Sequence, residues 1–219
     1  MKSAEFKIPT NKESKTTEQN TKNGYNKVVE NVYIFDGVSL DINNMNLLFN
    51  LALQYKHVDI NNALTTFKHC EDKINETTDK TIVYEIYVNM ALLYTVKNDY
   101  NTLKDYYYKA MKVCPERSEP YYYLSLYCNK NKLYDKSYEL LKYSIKNLSY
   151  DIASTKYGTV QQNAYGKYLY EELALACYML SKYDESIKCL ENIIDDSDFA
   201  NIKDKLNNKL CSVIKKMEK

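Results

Sequence analysis

Apolar residues return along this chain at helical spacing, and the pattern of large and small side chains then repeats as a block. Two abutting blocks of 34 residues, 84–117 and 118–151, match place for place. The first carries Tyr87, Met90, Ala91, Tyr94, Tyr100, Tyr107 and Ala110; the second carries Tyr121, Leu124, Ser125, Cys128, Tyr134, Leu141 and Ser144 in the same slots. Each block predicts two helices joined by a tight turn, with the small residues marking where helices approach closely. A degenerate copy fits 44–77, with Leu48, Leu51 and Tyr55 on its first helix and Ala63, Phe67 and Cys70 on its second. A fourth copy fits 167–200 through Tyr170, Leu173, Ala174, Cys177, Tyr183, Ser186 and Leu190, with Ile193 replacing the usual small residue. Beyond it, Ile202, Leu206, Leu210 and Ile214 recur every fourth residue and predict an amphipathic helix that covers the last unit.

A helix-turn-helix repeat of this length is of tetratricopeptide type, since one unit cannot bury its apolar stripe without a stacked neighbour. The expected fold is all-α, a right-handed superhelical solenoid of such repeats with a C-terminal capping helix, occupying 44–219. No glycine lies between Gly37 and Gly158, and the prolines of that stretch, Pro115 and Pro120, sit at a junction between units. Ser118 reads as the cap of the following helix, with Pro120 in its first turn. Residues 152–166 interrupt the period, either as a functional, mobile loop or as a plain extension of a linker. Residues 1–24 are polar and aperiodic and are expected to be a disordered tail. The lead-in 25–43 is poorly defined: Tyr25, Val28, Val29 and Val32 fit a short helix or coil on the first repeat, while Val32 to Phe35 also fits an extended segment ended by Gly37.

Composition narrows the function. A hydrophobic share of 45% permits a core, and a net charge of +1 gives no global field for nucleic acid or an anionic membrane. The apolar runs are too short to span a bilayer, and the N-terminus lacks a secretory apolar stretch, so a cytoplasmic protein is expected. Six cysteines without a C-x-x-C pair read as small buried hydrophobes. Tyr outnumbers Phe by 24 to 5, so tyrosines fill repeat slots and their hydroxyls need water or partners.

The units from the second onward resemble the tetratricopeptide-like regions that accompany family 2 glycosyltransferases, especially in large DNA viruses. The likeness lies in Cys114-Pro115-Glu116-Arg117-Ser118-Glu119-Pro120-Tyr121-Tyr122-Tyr123-Leu124 and Tyr134-Asp135-Lys136-Ser137-Tyr138. It continues in Tyr165-Gly166-Lys167-Tyr168-Leu169-Tyr170-Glu171-Glu172-Leu173-Ala174 and Tyr183-Asp184-Glu185-Ser186. The resemblance implies an accessory or remnant subunit of a glycosyltransferase system, located in the host cytoplasm if viral and working with a separate catalytic subunit. No preceding catalytic domain fits in residues 1–40.

Catalytic chemistry finds little support. Asp196-Ser197-Asp198 has the letters of a metal-binding Asp-x-Asp motif but falls at a repeat helix end, where a turn and cap explain it. His69 and Cys70 are adjacent and so point to different faces of a helix. No nucleophile has a recognisable base partner, and the tyrosine runs are absorbed by repeat packing. The expectation is therefore a scaffold with no enzymatic activity, no metal and no cofactor, binding a protein or peptide in its concave groove. The slots that face the groove are Glu85, Val88, Leu92 and Thr95, then Glu119, Tyr122, Leu126, Asn129 and Lys130, then Tyr168, Glu171, Leu175 and Tyr178. Partner contacts are assigned to Tyr122, Asn129, Lys130, Tyr168, Glu171 and Tyr178. Chaperone-binding repeats clamp a C-terminal carboxylate with Lys and Asn at the fifth and ninth slots. Here Val88, Tyr122, Glu171 and Leu92, Leu126, Leu175 stand there, which favours apolar and aromatic anchors instead.

Overall fold

A computed structural model of the chain describes residues 44–194 and 203–217 and three short strands between residues 28 and 41. The expected tail 1–24 and the Asp196-Ser197-Asp198 motif lie outside the described residues. Two compact units divide the chain, Met1–Asp99 and Tyr100–Lys219.

The first unit opens with strands β1 (Val28–Val29), β2 (Val32–Phe35) and β3 (Val38–Asp41) in an antiparallel meander. Val32 pairs with Asp41 and Phe35 with Val38. The lead-in is therefore not the short helix or coil on the first repeat, and the extended alternative for Val32 to Phe35 is the one the structure adopts. β2 is made of β-branched and aromatic residues, and Asp36-Gly37, the two residues between Phe35 and Val38, form a hairpin-turn signal.

From Met45 onward the described elements are helical, as the period predicts. Helices α1 (Met45–Tyr55), α2 (Ile60–Asp72) and α3 (Lys80–Val96) complete the first unit. Each starts at a side-chain cap: Asn44, Asp59 and Asp79 accept from the backbone N–H groups two and three residues on. Leu48, Ala52 and Tyr55 of α1 and Ala63, Phe67 and Cys70 of α2 are buried. Phe49 meets Phe67 edge-on with centroids 6.1 Å apart. Val88, expected to face a groove, is instead buried.

The second unit holds α4 (Tyr100–Val113), α5 (Glu119–Lys130), α6 (Tyr134–Asn147), α7 (Tyr150–Tyr157), α8 (Lys167–Met179), α9 (Tyr183–Ile194) and α10 (Lys203–Met217). Hairpins α5–α6 and α8–α9 close through one recurring bond, from the Ser137 hydroxyl to the Ser125 carbonyl and from the Ser186 hydroxyl to the Ala174 carbonyl. Donor and acceptor stand in equivalent slots of the third and fourth copies.

The turns repeat as well. Asn98, Lys132 and Ser181, all in the fifteenth slot of their copies, have φ of 56°, 62° and 59°. In each case the next residue's N–H reaches back to a carbonyl five residues earlier: Asp99 to Tyr94, Leu133 to Cys128, Lys182 to Cys177. These are Schellman endings built without glycine, with the left-handed residue at the position after the C-cap. The period therefore extends to backbone conformation.

Three sequence expectations need correction here. Ser118 does not cap α5; its hydroxyl pairs with that of Ser144, and its N–H donates to the Tyr165 hydroxyl. Residues 152–166 are not an open loop: α7 and a 3-10 turn at Gln162–Ala164 occupy most of them. In the last helix Val213 is buried and Leu210 half-buried, while Ile214 is exposed, so the apolar stripe turns onto Val213 in place of Ile214. Ile202 and the Leu206 side chain lie outside the described residues.

Candidate partner-binding face of the second unit

Helices α5 and α8 are the first helices of their hairpins and pack on one another. One side of α8 enters the core through Leu169, Leu173, Ala174 and Cys177, which gather with Leu141, Leu190, Ile193 and Val213. The other side leaves Leu175 42% and Met179 45% exposed, a large apolar pair on one helix turn. Tyr168 and Tyr178 lie half-buried at the edge of the core cluster, and the Tyr178 ring sits 5.9 Å from that of Tyr183.

The residues assigned to partner contact fall into three settings. Lys130 is exposed at the end of α5, and Tyr168 and Tyr178 are half-buried. Glu171 is half-buried and paired with Lys209 of α10 at 2.8 Å. Tyr122 packs against the core cluster and also against a second one, Ala153, Ala164 and Tyr165. Burial first, then the carboxylates of Glu172 and Glu171 and the Tyr168 phenol, push its own phenol up to about 12. Asn129 is buried, and its Nδ2 donates to the Glu172 carbonyl at 3.1 Å and to Glu172 Oε2 at 2.8 Å. It is thus spent on the contact between α5 and α8, whereas the sequence placed it in the open groove.

Glu119 differs more sharply from its expected groove position. Its side chain is only 2% exposed and accepts from Arg117 Nη2 at 2.6 Å and Arg117 Nε at 3.2 Å. It also accepts from the Gln161 N–H at 3.1 Å and the Tyr165 hydroxyl at 3.2 Å. One carboxylate therefore ties the start of α5 to the interrupting segment. A second tie joins Glu116 to Lys156 and to the Tyr157 hydroxyl; these bonds hold the Glu116 carboxyl at about 2. Gly158 and Gly166, with φ of 74° and 59°, make the turns on either side of the 3-10 segment, where a side chain would be strained.

Cys70, Cys114, Cys128, Cys177 and Cys189 are buried free thiols, and only Cys211 is exposed. Burial pushes the Cys70 thiol up to about 12 and the Cys128 thiol up to about 11, so neither is a ready nucleophile. Among the described residues no three His, Cys, Asp or Glu side chains gather as a metal site, and no helix is long and apolar enough to cross a membrane.

Sequence reasoning missed Glu172, Lys209 and Met179. Glu172 stands beside a residue already assigned to the groove, and its neighbour relation to Asn129 appears only once α5 and α8 are stacked.

No protein-family profile matches this chain, and no curated protein does. Solved structures do. A crystal structure of MamA is 19% identical with a TM-score of 0.54, covering 69% of this chain and 77% of that one. MamA from Desulfovibrio magneticus RS-1, residues 41 to the end, is 16% identical with a TM-score of 0.53 and coverages of 78% and 93%. YrrB, described as a TPR protein with an unusual peptide-binding site, is 14% identical with a TM-score of 0.58 and coverages of 80% and 79%. None of these likenesses carries a link to glycosyl transfer or to viruses. At such identities they show the fold alone, a tetratricopeptide-like helical-repeat solenoid.

Proposed function

We propose that this chain is a non-catalytic scaffold that binds a protein or peptide partner on the face formed by α5 and α8. The observation that carries the reading is the exposed pair Leu175 and Met179, on a helix whose opposite side is fully committed to the core. Apolar side chains grouped on a surface beside half-buried tyrosines and a charged rim have the composition of a binding patch. In this reading Tyr122, Tyr168, Glu171, Tyr178 and Lys130 contribute the remaining partner contacts, and Asn129 acts by holding α5 to α8. The peptide-binding site named for YrrB is in keeping with this reading. No observation favours the glycosyltransferase-associated alternative, which rests on the sequence resemblance alone.

The test is a double substitution, Leu175→Ser with Met179→Ser, in the full chain. Both side chains are exposed, so the thermal melt is expected to stay near that of the parent. Affinity for a partner captured from the producing cells and then purified should fall by about 2 kcal/mol, roughly thirtyfold. Undiminished affinity would place the partner elsewhere.

A further inference from the structure

Asn129 has an amide with one satisfied end. Its Nδ2 serves two acceptors of Glu172, the backbone carbonyl and Oε2. Turning the amide over would set Oδ1 against those same two acceptors, so its orientation is fixed. Oδ1 is left buried with no donor among the described residues, in a residue only 6% exposed. Buried acceptors without a donor are rare in folded proteins and mark a missing partner.

Among the described residues, the carboxylate beside it has no ion-pair partner of its own. Lys209 approaches, but its ammonium is bonded to Glu171 Oε1 at 2.8 Å. Burial, with Glu171 adding repulsion, pushes the Glu172 carboxyl up, against the bond from Asn129 and the charge of Lys209. The local sum is two carboxylates and one ammonium, plus an acceptor without a donor. Tyr122 lies close to the same carboxylates, and the face of an aromatic ring attracts a cation.

We infer that the floor between α5 and α8, at Glu172 and Asn129, is a subsite for one cationic side chain of the partner, an arginine in preference to a lysine. The inference rests on the docking reading above and adds the partner's chemistry to it. A guanidinium supplies what the floor lacks: a positive charge for Glu172 and several N–H donors in a planar fork that spans two acceptors. Leu175 and Met179 then receive apolar neighbours of that arginine. A neutral or acidic residue supplies neither charge nor donors, so the subsite sets sequence preference.

The experiment titrates the full, isotope-labelled chain with two short peptides, blocked at both ends. One has a Leu-Arg-Leu core, and the other has citrulline, the neutral isostere of arginine, at the centre. The arginine peptide is expected to shift backbone signals of α5 and α8 around Asn129 and Glu172, and to bind at least roughly tenfold more tightly than the citrulline peptide. Glu172→Gln should erase that difference. Lys209→Met, which frees Glu171, should tighten the arginine peptide severalfold and leave the citrulline peptide unchanged. Equal binding of both peptides at this face overturns the cationic subsite while leaving the docking reading intact. Absence of arginine-dependent shifts at α5 and α8 also overturns it, and the Leu175 and Met179 variant then decides the docking reading separately.

Discussion

Glu119→Ala is expected to destabilise the second unit by about 3–5 kcal/mol, the usual cost of removing one partner from a buried ion pair. The carboxylate and the Arg117 side chain are 2% and 3% exposed, so water cannot take over the lost contact. The substitution also strips the acceptor from the Gln161 N–H and one acceptor from the Tyr165 hydroxyl, loosening the segment after α7. Denaturant melts measure the loss, and limited proteolysis near Gly158 should speed up in step. The double variant Arg117→Met with Glu119→Leu removes both charges and should recover most of the stability, because the penalty lies in burying the Arg117 charge without the Glu119 carboxylate. A loss below about 1 kcal/mol for Glu119→Ala would mean that solvent screens the pair after all.

Leu141→Ala carries the next largest effect, a loss of about 2–5 kcal/mol. Leu141 lies on α6 with no exposed surface and belongs to the same cluster as Leu169, Leu173 and Leu190 of the following hairpin. Truncation opens a cavity where the third repeat hands its apolar stripe to the fourth. Repeat proteins draw much of their stability from such neighbour contacts, so the melt should lose cooperativity as well as midpoint. An unchanged midpoint would show that α6 and α8 do not rely on each other.

The helical hairpins were legible because their signal is redundant. Ala91, Ser125 and Ala174 share one slot, Ala110 and Ser144 another, and all are buried. A pattern repeated at a fixed interval survives individual departures such as Ile193. What stayed hidden depended on partners far apart in sequence. Glu119 reads as an exposed helix start until Tyr165 and Gln161, more than forty positions later, fold against it. The 152–166 segment shows no long apolar stripe, because its order comes from ties to Glu116 and Glu119 as much as from packing. Of the strands at 28–41, the extended alternative for Val32 to Phe35 is the one found, while β1 and β3 were hidden because Val28, Val29 and Val32 also fit a helical stripe and the pairing with 38–41 was not read. At the candidate face, Tyr168, Glu171 and Tyr178 of α8 are half-buried, Glu171 in an ion pair with Lys209. Glu119 turned inward because the Arg117 guanidinium satisfies it, and the Asn129 Nδ2 end because Glu172 accepts from it.

Site-directed photocrosslinking tests the central claim most directly. A benzophenone side chain at Leu175, on α8, reports on the proposed face, and the same group at Tyr143, 48% exposed on α6, reports on the second helix of a hairpin. Illumination in the producing cells should join one defined partner to position 175, with no such product from position 143. Crosslinking of the same partner from 143 and not from 175 would contradict the account.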